Sequence, residues 1–247
     1  MMAKQGTRPT ERAERAIGRR LLQQRGVSGV LARHSLSLTM LALFLLLLWG
    51  QSVAGHRTYN EEQRGHGQPP IGYVAYLTEG HFIEAVFENW ESEFLQMSAF
   101  VVFSVFLRQR GSPESKKLIA REPQDKDPDR ARHGKNVPWA VRHGGLVLRI
   151  YENSLSIALF LLFVLSLMLH ALGGVLEYNA EQREHGSPAV STFEYMTTSR
   201  FWYESFQNWQ SEFMAVGALA LLAIYLRQRG SPESKPVAAP HDETGSQ

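Results

Sequence analysis

Four apolar blocks, at residues 36–49, 94–107, 155–172 and 213–226, stand out from a polar background. The first extends to residue 55 without meeting a charge. A helix that crosses a bilayer needs about 20 predominantly apolar residues. The first and third blocks can reach that length. The second and fourth hold about 14, a length that equally suits a buried helix of a soluble protein. Turning either short block into a full span draws in residues 88–93 or 207–212. These belong to FENWESEF (87–94) and FQNWQSEF (206–213), which put Asn, Trp, Ser and Glu at the mouth of an apolar run. The pattern predicts an all-α polytopic membrane protein with four transmembrane helices.

The two motifs are part of a larger internal repeat. LRQRGSPESK occurs at 107–116 and unchanged at 226–235, a shift of 119 residues. The same shift aligns YNEEQRGHG (59–67) with YNAEQREHG (178–186). Between 35–116 and 154–235 no gap is needed, and about 36 of 82 positions are identical, far above chance. Two copies of one unit, each with two apolar blocks, predict two tandem helical hairpins. Two spans per unit is an even number, so the hairpins are parallel repeats.

Charge placement supports spans. The net charge is only +2, but Lys and Arg are concentrated in 1–34, in the stretch after residue 107 and in the C-terminal tail. Residues 55–86 hold only Arg57 and Arg64, and 173–205 only Arg183 and Arg200. Basic and non-basic segments alternate as four spans with both termini cytoplasmic require. The first block, followed by Ser52-Val53-Ala54, has the look of a cleaved signal peptide. Its counterpart in the second copy lies mid-chain, where no signal can act, and the basic stretch ahead of it is unusually long. The expected layout is a basic cytoplasmic segment at 1–34, a first membrane repeat at 35–116 and a polar linker at 117–150. A second repeat at 151–235 and a disordered tail at 236–247 follow. Residues 10–25 can form an amphipathic surface helix. Asn153-Ser154 reads as a helix cap, and Gly111 and Gly230 as helix stops.

With FQNWQSEF, the repeated ten-mer and the duplicated four-span pattern in view, the sequence resembles a family of bacterial integral membrane proteins known as a domain of unknown function. The resemblance covers residues 35–235. It implies a bacterial cytoplasmic membrane protein and carries over no activity.

Three groups of residues are candidates for chemistry. Asn89, Ser92 and Glu93, with Asn208, Ser211 and Glu212, fall on one helical stripe per copy, because neighbours on a helix face are three and four apart. With a rise of 1.5 Å per residue, Glu93 lies about 21 Å from residue 107 and so in the outer third of a core about 30 Å thick. Such a stripe can hydrogen-bond across helices or line a proton or cation path. Trp90 and Trp209 sit where an interfacial aromatic belt is expected. Glu62 with His66, and Glu181 with His185, are four apart and supply ligand types that zinc or manganese accepts. Arg108, Arg110, Arg227 and Arg229 are placed to meet anionic lipid headgroups.

Exclusions narrow the field. The chain has no cysteine, which removes disulfides, thiolate sites and iron–sulfur clusters. Membrane haem needs paired intramembrane histidines, whereas only His170 lies in an apolar block and its counterpart is Gln51. No phosphate loop, HExxH or nucleophile elbow occurs, so no cofactor is expected. The basic segments read as topology signals rather than a nucleic-acid surface. Partners are therefore the lipid bilayer, anionic headgroups and a second copy or another membrane protein. The leading reading is a non-enzymatic structural or accessory protein of the envelope. The alternative is a small transporter or channel using Glu93 and Glu212. A third is a metal-dependent enzyme on the outer Glu/His pairs.

Overall fold

A computed structural model describes residues 26–119, 122–134 and 136–245. The basic segment and surface helix expected before residue 26 lie outside the described residues. The fold is all-α, with no strand among the described residues. Helix α1 spans Gly26–Arg33 and α2 Ser35–Gly65. A short turn, α3, spans Tyr73–Tyr76 and precedes α4, Gly80–Phe106. Two 3₁₀ turns, Pro123–Asp125 and Pro128–Ala131, lead to α5 (Trp139–His143) and α6 (Gly145–Glu152). Helix α7 spans Ser154–Glu184, α8 Thr192–Tyr195 and α9 Ser199–Tyr225. Elements α1 to α4 recur as α6 to α9 at a spacing of 119 residues, with equal lengths.

Among the described residues, only α2 and α7, 31 residues each, are both long and apolar enough to cross a membrane. Of the four transmembrane helices expected, two therefore pass on apolarity and two do not. Helices α4 and α9 have 27 residues, which is length enough. They fall short in apolarity because Glu84, Glu88, Glu91 and Glu93 interrupt one, and Arg200, Glu204 and Glu212 the other.

The chain forms two compact units, Met1–Tyr73 and Val74–Gln247. In the first, α2 runs on past its apolar block through His56 and Asn60 to Gly65. Asn60 ties the following loop back to the helix: its Nδ2 donates to Ile71 O at 3.0 Å and its Oδ1 accepts from Ile71 N at 2.7 Å. Ser52 and Tyr73 share a hydroxyl hydrogen bond of 2.6 Å.

In the second unit α4 packs most extensively against α7, and less so against α9. The second helix of one sequence copy thus pairs with the first helix of the next. Glycine permits the approach. A Cβ on Gly80 would lie 2.7 Å from Gly173 O, and one on Gly173 only 2.4 Å from Glu84 N. Small residues at such crossings let helix backbones meet, as membrane helix pairs commonly do. Around the crossing Ala171, Val175, Tyr195 and Phe201 form a small buried core. Asn179 repeats the loop clamp of Asn60, donating to Val190 O at 2.9 Å and accepting from Val190 N at 2.8 Å. Ser191 and Glu194 cap α8 reciprocally, and the Thr198 hydroxyl accepts from Phe201 N to start α9.

Several ends differ from expectation. Asn153 makes no side-chain cap to α7; its Nδ2 donates instead to Arg149 O, closing α6. Helices α4 and α9 end before Gly111 and Gly230, at extended Leu107 and Leu226. The ten-mer then folds the same way twice. Ser115 Oγ accepts from Gln109 N at 2.8 Å, and Ser234 Oγ from Gln228 N at 2.9 Å. The 236–245 stretch, expected as a disordered tail, is held in place. Lys235 Nζ donates to the carbonyls of Pro240, His241 and Glu243, and Gly111 N donates to Thr244 Oγ1.

Candidate functional site

Helix spacing builds one wall of the site. Glu84, Glu88 and Glu91 follow each other at four and three residues, so α4 turns a single acidic face toward α7 and α9. Helix α7 contributes His170, fully buried among apolar neighbours and stacked on Phe201 with ring centroids 4.9 Å apart. Helix α9 contributes Arg200, Glu204 and, five residues further on, Trp209. Tyr195 on α8 reaches in from the loop. It fits because α7 has a glycine there: a Cβ on Gly174 would stand 2.4 Å from the Tyr195 hydroxyl.

The side chains form one connected network. Glu91 is fully buried and its two oxygens are both engaged. Oε2 lies 3.0 Å from His170 Nδ1, and Oε1 accepts from Trp209 Nε1 at 3.1 Å. A carboxylate that accepts from an indole and an imidazole is satisfied at both atoms. On the other side of the ring, His170 Nε2 stands 3.6 Å from Glu204 Oε2, beyond hydrogen-bond reach. Nε2 has no hydrogen-bond partner among the described residues. Glu204 Oε1 accepts from Arg200 Nε at 3.0 Å, and Arg200 Nη1 donates on to Glu181.

Tyr195 links two carboxyl groups. Its hydroxyl lies 3.0 Å from Glu84 Oε1 and 3.0 Å from Glu204 Oε2. Burial first, and then the charges of Glu84 and Glu204, push the Tyr195 phenol above its usual range, so it is a neutral group with a single proton. One proton cannot serve two acceptors at full strength. The phenol proton is shared between the two carboxyl oxygens. The cluster therefore sets two carboxyl groups on one phenol, beside a histidine nitrogen that has no hydrogen-bond partner among the described residues.

A family model described as a domain of unknown function, DUF6766, matches residues 27–246. The chain belongs to that family. The DUF6766 match takes in all four long helices and every residue of the cluster. No curated protein and no solved structure matches the chain.

The residues expected from the repeat take other places in this DUF6766 chain. Glu93 and Asn89 are exposed, and Glu212 is half-buried. The polar partners of the stripe bond back to their own helices, and Asn208 also reaches Glu88 of α4. Asn89 and Asn208 donate to the carbonyls of Ala85 and Glu204, and Ser92 and Ser211 to those of Asn89 and Asn208. Such bonding to the preceding turn leaves less for cross-helix contacts. Trp90 packs on Phe87. Trp209, expected at an interface, instead bonds the buried Glu91.

Of the outer Glu/His pairs, Glu62 and His66 lie in the first unit, Glu181 and His185 in the second. His185 Nδ1 contacts the backbone oxygen of Glu181 at 2.8 Å, and Glu181 pairs with Arg200. Arg108 and Arg227 fold back to donate to the last carbonyls of α4 and α9. Arg110 pairs with Asp242 at 3.3 Å, and Arg229 is exposed.

Symmetry hid the cluster. Under the shift of 119, Glu84 corresponds to Tyr203, Glu91 to Gln210, His170 to Gln51 and Glu204 to Ala85. Residues shared by both copies attract notice, whereas the chemistry lies mainly where the copies differ. Two signals were present in the sequence: the 84–88–91 acidic spacing and the lone histidine of an apolar block.

Proposed function

We propose that the chain is an integral membrane protein in which all four long helices cross the bilayer and the buried acid–histidine cluster handles an ion, either a proton or a metal cation. The observation that carries this is the inverted distribution of polarity. Leu41, Phe44, Leu45, Leu161, Leu165 and Leu222 are exposed, while Ser92, Gln96, Ser166, His170 and Glu91 are buried. In water an apolar surface of that extent would drive association. In lipid it is solvated, and ionisable groups turn inward, where they commonly mark ion pathways.

Depth fits the same reading. Glu91 lies about 23 Å from the inner end of α4, inside a hydrocarbon core of about 30 Å, and Glu84 about 33 Å away, just past its outer rim. The cluster therefore opens toward the outer face. Inward from it, Ser92 and Gln96 on α4 and Ser166 on α7 continue a buried polar line. The basic flanks orient both termini toward the cytoplasm of a bacterial cell, with lipid as the main partner. A purely structural role accounts for the apolar exterior but gives the buried cluster no task.

Flux into proteoliposomes tests the proposal. With a membrane potential imposed, wild-type protein should carry protons or cations above empty liposomes. His170→Gln and Glu204→Gln should each lose at least tenfold, and Glu93→Gln should stay near wild type. No flux above empty liposomes would return the protein to a structural role, and flux that survives both cluster variants would remove the cluster from the path. Loss confined to Glu93→Gln and Glu212→Gln would move the path to the outer stripe.

A further inference from the structure

We infer that Glu84, His170 and Glu204 form a site for one divalent first-row transition ion of the zinc or manganese class. The inference rests on the ion-handling role proposed above and names the ion. Each of the three residues offers one ligand atom, and these atoms lie within 4.8 Å of one another. A metal holds such ligands at about 2.0–2.2 Å, so small side-chain rotations bring the set into range. The donors are one imidazole nitrogen and two carboxylate oxygens, a mixture that suits zinc or manganese.

The independent sign of a ligand is His170 Nε2. The side chain is fully buried, and this nitrogen alone in the ring has no hydrogen-bond partner among the described residues. Leaving a buried polar atom unpaired is costly unless something completes it. The opposite ring nitrogen is already fixed. Glu91 takes the Nδ1 proton and is itself held by Trp209 Nε1. With Nδ1 engaged by Glu91, Nε2 is the ring atom left facing Glu204, and it can ligate once it carries no proton. A carboxylate behind the histidine is the usual second support of a metal-bound imidazole.

The opposite wall is equally suited. Arg200 engages Glu204 Oε1 and leaves Oε2 facing the cluster. The Tyr195 hydroxyl lies between Oε2 and Glu84 Oε1, 3.0 Å from each. It marks the position that a dication would share or take over. Both carboxylates ligate in their ionised form.

The test uses the full chain in nanodiscs, stripped of metal and then given Co²⁺ or Zn²⁺ alone. Wild type should retain about one ion per chain after desalting. Bound Co²⁺ should give the intense visible bands of a low-coordinate site and lose them when Zn²⁺ is added. His170→Gln and Glu204→Gln should weaken binding at least tenfold, and Glu93→Gln should leave it unchanged. Should a variant fail to fold, the wild type alone suffices: Zn²⁺ should raise its unfolding temperature and Mg²⁺ should not. Absence of a bound ion, or equal binding by a folded His170→Gln, would overturn the inference. Wild type that carries cluster-dependent proton flux yet binds neither metal overturns the metal site alone. A protein that shows neither overturns the ion-handling role as well.

Discussion

The indole N–H of Trp209 is spent on a buried carboxylate, 118 residues away along the chain. That one bond shows how the site is maintained. Glu91 needs two donors to be tolerated in a dry interior, and it receives one from α7 and one from α9. Trp209→Phe keeps the aromatic packing against Phe163 and Phe206 but removes the donor. Hydrogen bonds to charged groups are worth about 1.5–3 kcal/mol, and the variant should lose stability on that scale in thermal unfolding. An unchanged unfolding temperature would mean that the indole N–H does not support Glu91. Residue types were legible in the sequence here, but partners were not. Spacing puts Glu84, Glu88 and Glu91 on one face, yet nothing local reveals that His170 and Trp209 meet Glu91. The motif Asn-Trp-Ser-Glu drew attention to two of the helices that carry the cluster, but not to its carboxylates.

At the scale of elements, long helices are the most legible feature. Apolar blocks located four of them, and an identical shift of 119 reproduces their bounds. Their ends were less legible, because caps depend on which side chain happens to reach which backbone group. Asn153 closes the helix before it rather than opening the one after it. The pairing of helices was least legible, since it is decided by glycines that look unremarkable in sequence. A stability comparison isolates that point. Gly173→Ala inserts a methyl against the backbone of Glu84 and should cost about 1–3 kcal/mol, as overpacking does. Gly217→Ala, where a Cβ meets nothing within 4 Å, should be neutral or stabilising by up to about 1 kcal/mol, as a helix gains from alanine. Equal effects in thermal unfolding would show that α4 and α7 do not meet at these glycines.

For the whole molecule, the decisive question is how many helices cross the bilayer. Two helices pass on apolarity alone, and α4 and α9 fail because their outer turns carry the acids of the cluster. If α4 and α9 also cross, those acids are shielded by α7 and the exposed apolar residues face lipid. If they do not, the cluster is an outer surface feature and no ion path exists. The absence of cysteine makes a clean measurement available. Single cysteines at Thr78, Lys117, Ala189 and Pro236 flank α4 and α9 at exposed positions. A maleimide that cannot enter cells should label Thr78→Cys and Ala189→Cys in intact cells. Lys117→Cys and Pro236→Cys should label only after the membrane is opened. Labelling of Thr78→Cys and Lys117→Cys from the same side would contradict the four-span arrangement, and with it the buried ion site.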